Sequence, residues 1–101
     1  MKIEKTAALP LAENGEGFIF SEKTVQGAKV GKKEDLTYII SPRRFKLYTD
    51  SCDKLSILKG TGFIKWKRGE TPFSAGDCFD VCETGEYELN GNCEFVVRRG
   101  E

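Results

Sequence analysis

Lys46, Tyr48, Asp53 and Tyr87 are the residues of this chain whose types suit proton transfer. A lysine and two phenols can donate and a carboxylate can accept. Lys46 and Tyr48 stand two apart, so on a strand they share a face. They work as acid–base groups only if burial lowers the lysine pKa toward neutrality. The competing reading puts Lys46 on a solvated strand face while Phe45 and Leu47 point inward. That reading fits the general rarity of buried lysine. The chain contains no histidine, so imidazole chemistry is excluded. Cys78 and Cys82 lie four apart, about 13 Å along a strand. That is too far for two ligands of one tetrahedral zinc unless the chain bends. Arg43, Arg44, Lys46, Lys65 and Lys67 can gather on one sheet face to hold a phosphate or carboxylate. Trp66 would then offer a stacking surface, although its alternation with Ile64 favours a core position.

The elements that must carry these side chains are strands. Period-two alternation runs through "LTYII", "RRFKLY", "DKLSIL", "GFIKWK", "EYELN" and "CEFVV". Turn chemistry separates them at "KGTG", "KRGE", "SAGD", "ETGE" and "NGN". Pro72 belongs to an edge or a loop. No stretch has helical periodicity, so the expected class is all-β, an antiparallel sandwich or barrel. Residues 1–17 are less regular and are expected to form an arm, with one barrel domain over 18–101.

A chain of 101 residues is one domain with enough apolar surface for its own core. Lys+Arg and Asp+Glu both number 16, which argues against a dedicated nucleic-acid or membrane-surface binder. The charges are nonetheless segregated. Residues 43–68 carry eight basic residues against Asp50 and Asp53, whereas 69–94 carry seven acidic residues and no Lys or Arg. Oppositely charged strands pairing across a sheet would explain this. The start, "MKIEKTAALPLAENGEG", is too charged and too short in apolar residues for a signal peptide, and no run reaches transmembrane length. The expected compartment is the cytoplasm, where Cys52, Cys78, Cys82 and Cys93 would be thiols, mostly acting as small hydrophobes.

The segment "KLSILKGTGFIKWKRGETPFSAGDCFDVCETGEYELNGNCEFVV" resembles the second half of a cupin, a small antiparallel jelly-roll barrel. The carrying features are Gly60-x-Gly62 as the opening of a hairpin, Gly76-Asp77 at a strand start, and Gly85, Tyr87, Leu89 and Gly91 in the closing hairpin. More narrowly, residues 43–99 are similar to the C-terminal cupin domain of bacterial type I mannose-6-phosphate isomerases. In metal-binding cupins three histidines and a carboxylate hold a divalent ion. By this resemblance Asp53 stands at the carboxylate position, and Lys46 and Tyr48 (or Leu47 and Thr49) at two histidine positions. Cys82 replaces a proline and Tyr87 falls at the third histidine, with Gly85 one residue late.

The resemblance therefore implies a cupin with no metal and no cofactor. In the two-domain isomerases zinc and catalysis belong to the other half, so this domain is expected to be a binding or assembly module, for a sugar or phosphosugar. The alternative is a small metal-independent sugar isomerase or epimerase working through Lys46, Tyr48, Asp53 and Tyr87. The expected ligand site is the barrel mouth, with Arg44 or Lys46 on an anion and Tyr48 or Tyr87 orienting the remainder. Exposed sheet edges and the apolar arm point to a homodimer to which Leu9 and Leu11 contribute.

Overall fold

The computed structural model describes residues 2–7 and 9–100; Met1, Ala8 and Glu101 lie outside the described residues. Ten strands follow one another: β1 (Lys2–Thr6), β2 (Ile19–Phe20), β3 (Lys29–Lys33), β4 (Leu36–Ser41), β5 (Arg44–Thr49), β6 (Cys52–Trp66), β7 (Gly69–Ser74), β8 (Cys78–Cys82), β9 (Gly85–Asn90) and β10 (Cys93–Arg98). Every pairing between them is antiparallel. The larger sheet runs β1-β8-β6-β10-β4-β3-β2. The smaller one is β7-β6-β9-β5.

The two sheets share β6. Its first part pairs with β8 and β10, and from Thr61 onward it pairs with β7 and β9. Sequence spacing suggested two strands here, with Gly60-x-Gly62 opening a hairpin. The strand instead runs straight through 15 residues and bends at Gly60, which has φ 91°. The glycines serve a close crossing with the β9–β10 turn. A Cβ on Gly60 would lie 2.1 Å from the Asn92 carbonyl oxygen, and one on Gly62 would lie 1.9 Å from that of Asn90.

Alternation sets the core. Phe45, Leu55, Ile57, Ile64, Phe79 and Phe95, among others, fill the space between the sheets. On the outer face of the larger sheet, Leu36, Tyr38 and Val96 form a second cluster under Phe18. β4 is thus covered on both faces, which explains why Leu36, Tyr38, Ile39 and Ile40 of "LTYII" are apolar on both sides of the alternation. β7, where Pro72 sits, bonds to β6 alone and is an edge.

The structure adds detail to residues 1–17 and corrects the expectation that all four cysteines are thiols. Within residues 1–17, β1 is a regular strand laid along β8 of its own chain, where it satisfies edge groups that would otherwise face water. Leu11 packs on the second cluster and donates its N–H to Ser56 Oγ at 2.9 Å, whereas Leu9 is 89% exposed. The four cysteines are not all thiols. Cys52 and Cys82 stand directly opposite in the β6–β8 ladder, with Cα atoms 4.1 Å apart, and form a disulfide. Cross-strand register, which spacing along the chain cannot show, makes Cys52 rather than Cys78 the neighbour of Cys82. Cys78 and Cys93 are buried free thiols. Burial first, and the Glu94 charge second, push the Cys93 thiol up to about 11, which leaves it unreactive.

The segregated charges are explained by pairing between the basic and acidic halves. Lys54 meets Asp80 at 3.0 Å, Lys46 meets Glu86 at 3.5 Å, and Lys59 meets Glu94 and Lys65 meets Glu70 at 3.9 Å each. These pairs lie at the surface and each contributes at most about 1 kcal/mol. They favour the correct strand neighbours more than they stabilise the fold.

Candidate functional site at the barrel mouth

One end of the barrel is polar. It is formed where β5 ends, β6 begins, β9 begins and β10 ends. Asp53, at the second position of β6, faces inward like Leu55 and Ile57 and is completely buried. Tyr87 faces inward from β9 and donates its hydroxyl to Asp53 Oδ2 at 2.8 Å. Arg99 keeps the inward phase of Phe95 and Val97 and brings Nε to within 3.1 Å of the same oxygen. The Gly100 N–H donates to Asp53 Oδ1 at 2.9 Å. A second Arg99 nitrogen donates to the Tyr48 backbone carbonyl. Arg99 therefore ties β6 of one sheet to β5 of the other.

Both carboxylate oxygens of Asp53 are engaged, as a buried charge requires. Burial, followed by the charge and hydrogen bond of Asp53, pushes the Tyr87 phenol well above its ordinary value; Arg99 opposes this only in part. Tyr87 is a fixed hydrogen-bond donor at neutral pH. Tyr38, on the outer face, is raised to about 12 by burial and by its 2.6 Å hydrogen bond to Glu94. Both phenols favour folding fully below the ordinary phenol value of about 10, and that contribution fades as pH rises through the folded values. Absorbance at alkaline pH should show two of the three tyrosines still protonated above pH ~10, ionising only as the fold is lost. Ionisation of all three near the ordinary value, with the native circular dichroism intact, would contradict the buried assignments.

The remaining expected site residues are divided. Lys46 and Tyr48 point outward from β5 while Phe45 and Leu47 point inward, and Lys46 pairs with Glu86. The solvated reading of Lys46 is the correct one. Arg44 sits at the other end of β5, with Arg43, Gln26 and Asn90 around a separate hollow. The mouth therefore brings together Asp53 and Tyr87, with Tyr48 touching through its backbone, and leaves Arg44 away from them.

Two depressions share Lys46 on their rims. The larger, about 670 Å³, is a groove beside the β6–β7 hairpin, with Lys65, Lys67 and Trp66 on one side and Glu86 and Glu88 on the other. Trp66 is half-buried, packed against the core as its alternation with Ile64 implied, and it also lines this groove. Its indole N–H is buried without a hydrogen-bond partner among the described residues. The smaller depression, about 460 Å³, lies where β5 fails to pair with β3 and β4.

Gln26 bridges that gap. Gln26 and Gly27 both have positive φ, 55° and 79°, while Val25 and Ala28 exchange two 2.9 Å hydrogen bonds across them. This two-residue turn aims the Gln26 amide at β5, where it donates to the Lys46 carbonyl at 2.9 Å and accepts from the Lys46 N–H at 2.8 Å. Gln26 and Arg99 are the contributors that the sequence reading missed. The Gln-Gly pair in "VQGA" carried a turn signal for the first. No local pattern signalled the second.

No protein-family model matches the chain, and no curated protein matches it by sequence. Solved structures do match, and they support an all-β, antiparallel, cupin-like fold. Mannose 6-phosphate isomerase from Bacillus subtilis aligns with a TM-score of 0.63 and 17% identity over 78% of this chain, which spans only 27% of the isomerase. A DUF1255 protein of unknown function from Acinetobacter sp. ADP1 gives 0.59 and 15%, covering 88% of this chain and all of that one. Drosophila melanogaster CENP-C, solved bound to CAL1, gives 0.62 and 16%, covering 88% of this chain and 85% of that one. The likeness covers more of the chain than residues 43–99, which carry the sequence resemblance. The cupin pattern put Asp53 and Tyr87 at two ligand positions, and in the fold these two side chains meet. The positive charge beside them is the Arg99 guanidinium. Among the described residues no group of three or more Cys, Asp or Glu is placed to hold a metal ion. Among those residues no helix is long and apolar enough to cross a membrane.

Proposed function

We propose that this barrel is a binding module for a small anionic sugar, of the phosphosugar class, taken up in the groove between the β6–β7 hairpin and β9. The observation that carries the reading is the convergence of Lys46, Lys65 and Lys67 around a half-buried Trp66 in a depression of about 670 Å³. That volume lies within the range of small-molecule sites. Lys46 and Lys65 have acidic neighbours, whereas Lys67 forms no ion pair among the described residues and is free for a phosphate. The indole edge supplies an apolar wall for a sugar ring, and Glu86 and Glu88 supply acceptors for its hydroxyls.

Binding fits the site better than turnover. The Asp53 carboxylate is saturated by Tyr87, Arg99 and Gly100, and Tyr87 is held as a donor, so neither is free to carry a proton to a ligand. Sugar phosphates titrated by NMR should shift Lys65, Trp66, Lys67 and Glu86–Glu88. Affinity should fall with added salt, because exposed charge contacts are screened over ~10 Å at 0.1 M. Lys67→Ala should weaken binding about tenfold, the scale of one charged hydrogen bond. A broad phosphosugar panel producing no shifts, or shifts unaffected by Lys67→Ala, would refute the groove as the site.

A further inference from the structure

We infer that the second depression, at the unpaired gap between β5 and β3–β4, is a separate site for a small amphipathic acid: an aliphatic body carrying one carboxylate. This does not rest on the sugar reading. The walls are apolar, formed by the inward side chains Val30, Ile39, Phe45, Leu47 and Val97. At about 460 Å³ the space suits a short aliphatic chain.

The rim fixes the polarity of the occupant. Lys32 and Arg99 both line the hollow. Lys32 Nζ donates to Thr37 Oγ1 at 3.1 Å and forms no ion pair among the described residues, so two of its three N–H groups are unused. Arg99 uses Nε on Asp53 and one terminal nitrogen on the Tyr48 carbonyl, which leaves the other terminal nitrogen free. The Asp53 charge does not oppose an anion here, because Arg99, Tyr87 and the Gly100 N–H already surround it. The excess charge is Lys32. A carboxylate between Lys32 and Arg99 would direct its alkyl chain onto Ile39 and Leu47. The Gln26 bridge to Lys46 stands at the same gap and holds β5 at the spacing that keeps the hollow open.

The full chain should be titrated calorimetrically with butyrate, hexanoate and octanoate, and with 1-hexanol as the uncharged control. Affinity should rise about three- to fourfold per added methylene, as burial of each CH₂ predicts. Hexanoate should bind at least about tenfold more tightly than hexanol, the scale of a charge-assisted hydrogen bond. Lys32→Ala should remove that preference and leave hexanol binding unchanged. Leu47→Trp fills the hollow and should abolish binding of all four; should that variant not fold, hexanoate-induced NMR shifts at Val30, Ile39 and Val97 locate the site instead. Lys67→Ala should have no effect. The site is refuted by absence of heat at millimolar octanoate, by equal binding of hexanoate and hexanol, or by shifts confined to Trp66 and Glu86.

Discussion

Arg99→Ala should lower stability by about 2–4 kcal/mol, a Tm drop of roughly 10–20 °C for a domain of this size. Removal of the guanidinium leaves a wholly buried carboxylate facing an uncharged end, with Tyr87 and the Gly100 N–H as its partners among the described residues. Breaking a buried pair costs about 3–5 kcal/mol when one charge stays behind. The value expected here extends lower because Arg99 is 47% exposed and water can partly replace it. Asp53→Ala in the Arg99→Ala background should cost less than the sum of the two single changes, since the stranded charge is then gone. Thermal unfolding of the four proteins measures this. Additive single effects, or a loss below about 1 kcal/mol for Arg99→Ala, would remove Arg99 as the tie between the sheets.

Gly62→Ala should be among the most damaging single-methyl changes in the chain. Its added Cβ would sit 1.9 Å from the Asn90 carbonyl oxygen and 2.9 Å from Phe73. The first obstacle is backbone on a neighbouring turn and cannot rotate aside, so β6 or the β9–β10 hairpin must shift. Costs above about 4 kcal/mol are the expected range for a forced rearrangement of this kind. Gly27→Ala is the informative contrast. Gly27 has φ 79° and nothing within 4 Å of an added Cβ, so only left-handed strain of about 1–2 kcal/mol applies. Urea unfolding should rank Gly62→Ala far below Gly27→Ala. Equal midpoints would mean that β6 does not cross the β9–β10 turn as closely as described.

Much of this architecture is readable from the chain alone, because strand alternation is local. Phe45 and Leu47 face in and Lys46 and Tyr48 face out, as "RFKLY" dictates. Leu55 and Ile57 share the core face, and Pro72 falls on an edge. The basic and acidic halves could be expected to pair because opposite charges on neighbouring strands attract. The order and spacing of Gly60, Gly76, Gly85 and Gly91 were enough to suggest a cupin.

The sequence by itself thus determined the β class and the alternating faces of strands such as "RFKLY", while Asp53, Tyr87, Lys46 and Tyr48 stood at ligand positions only through the cupin resemblance. Tertiary structure alone decided that Cys52 meets Cys82, that β1 closes its own chain's edge, and that Arg99 covers Asp53. It also decided that Gln26 reaches Lys46 across 20 residues of chain. The physical reason is one of range. Which residues share a face follows from a period of two along the strand, and burial of the apolar set decides which face points inward. A cross-strand partner depends on register, on the bend at Gly60 and on the return path of the chain, and none of these leaves a mark at the residues that end up touching.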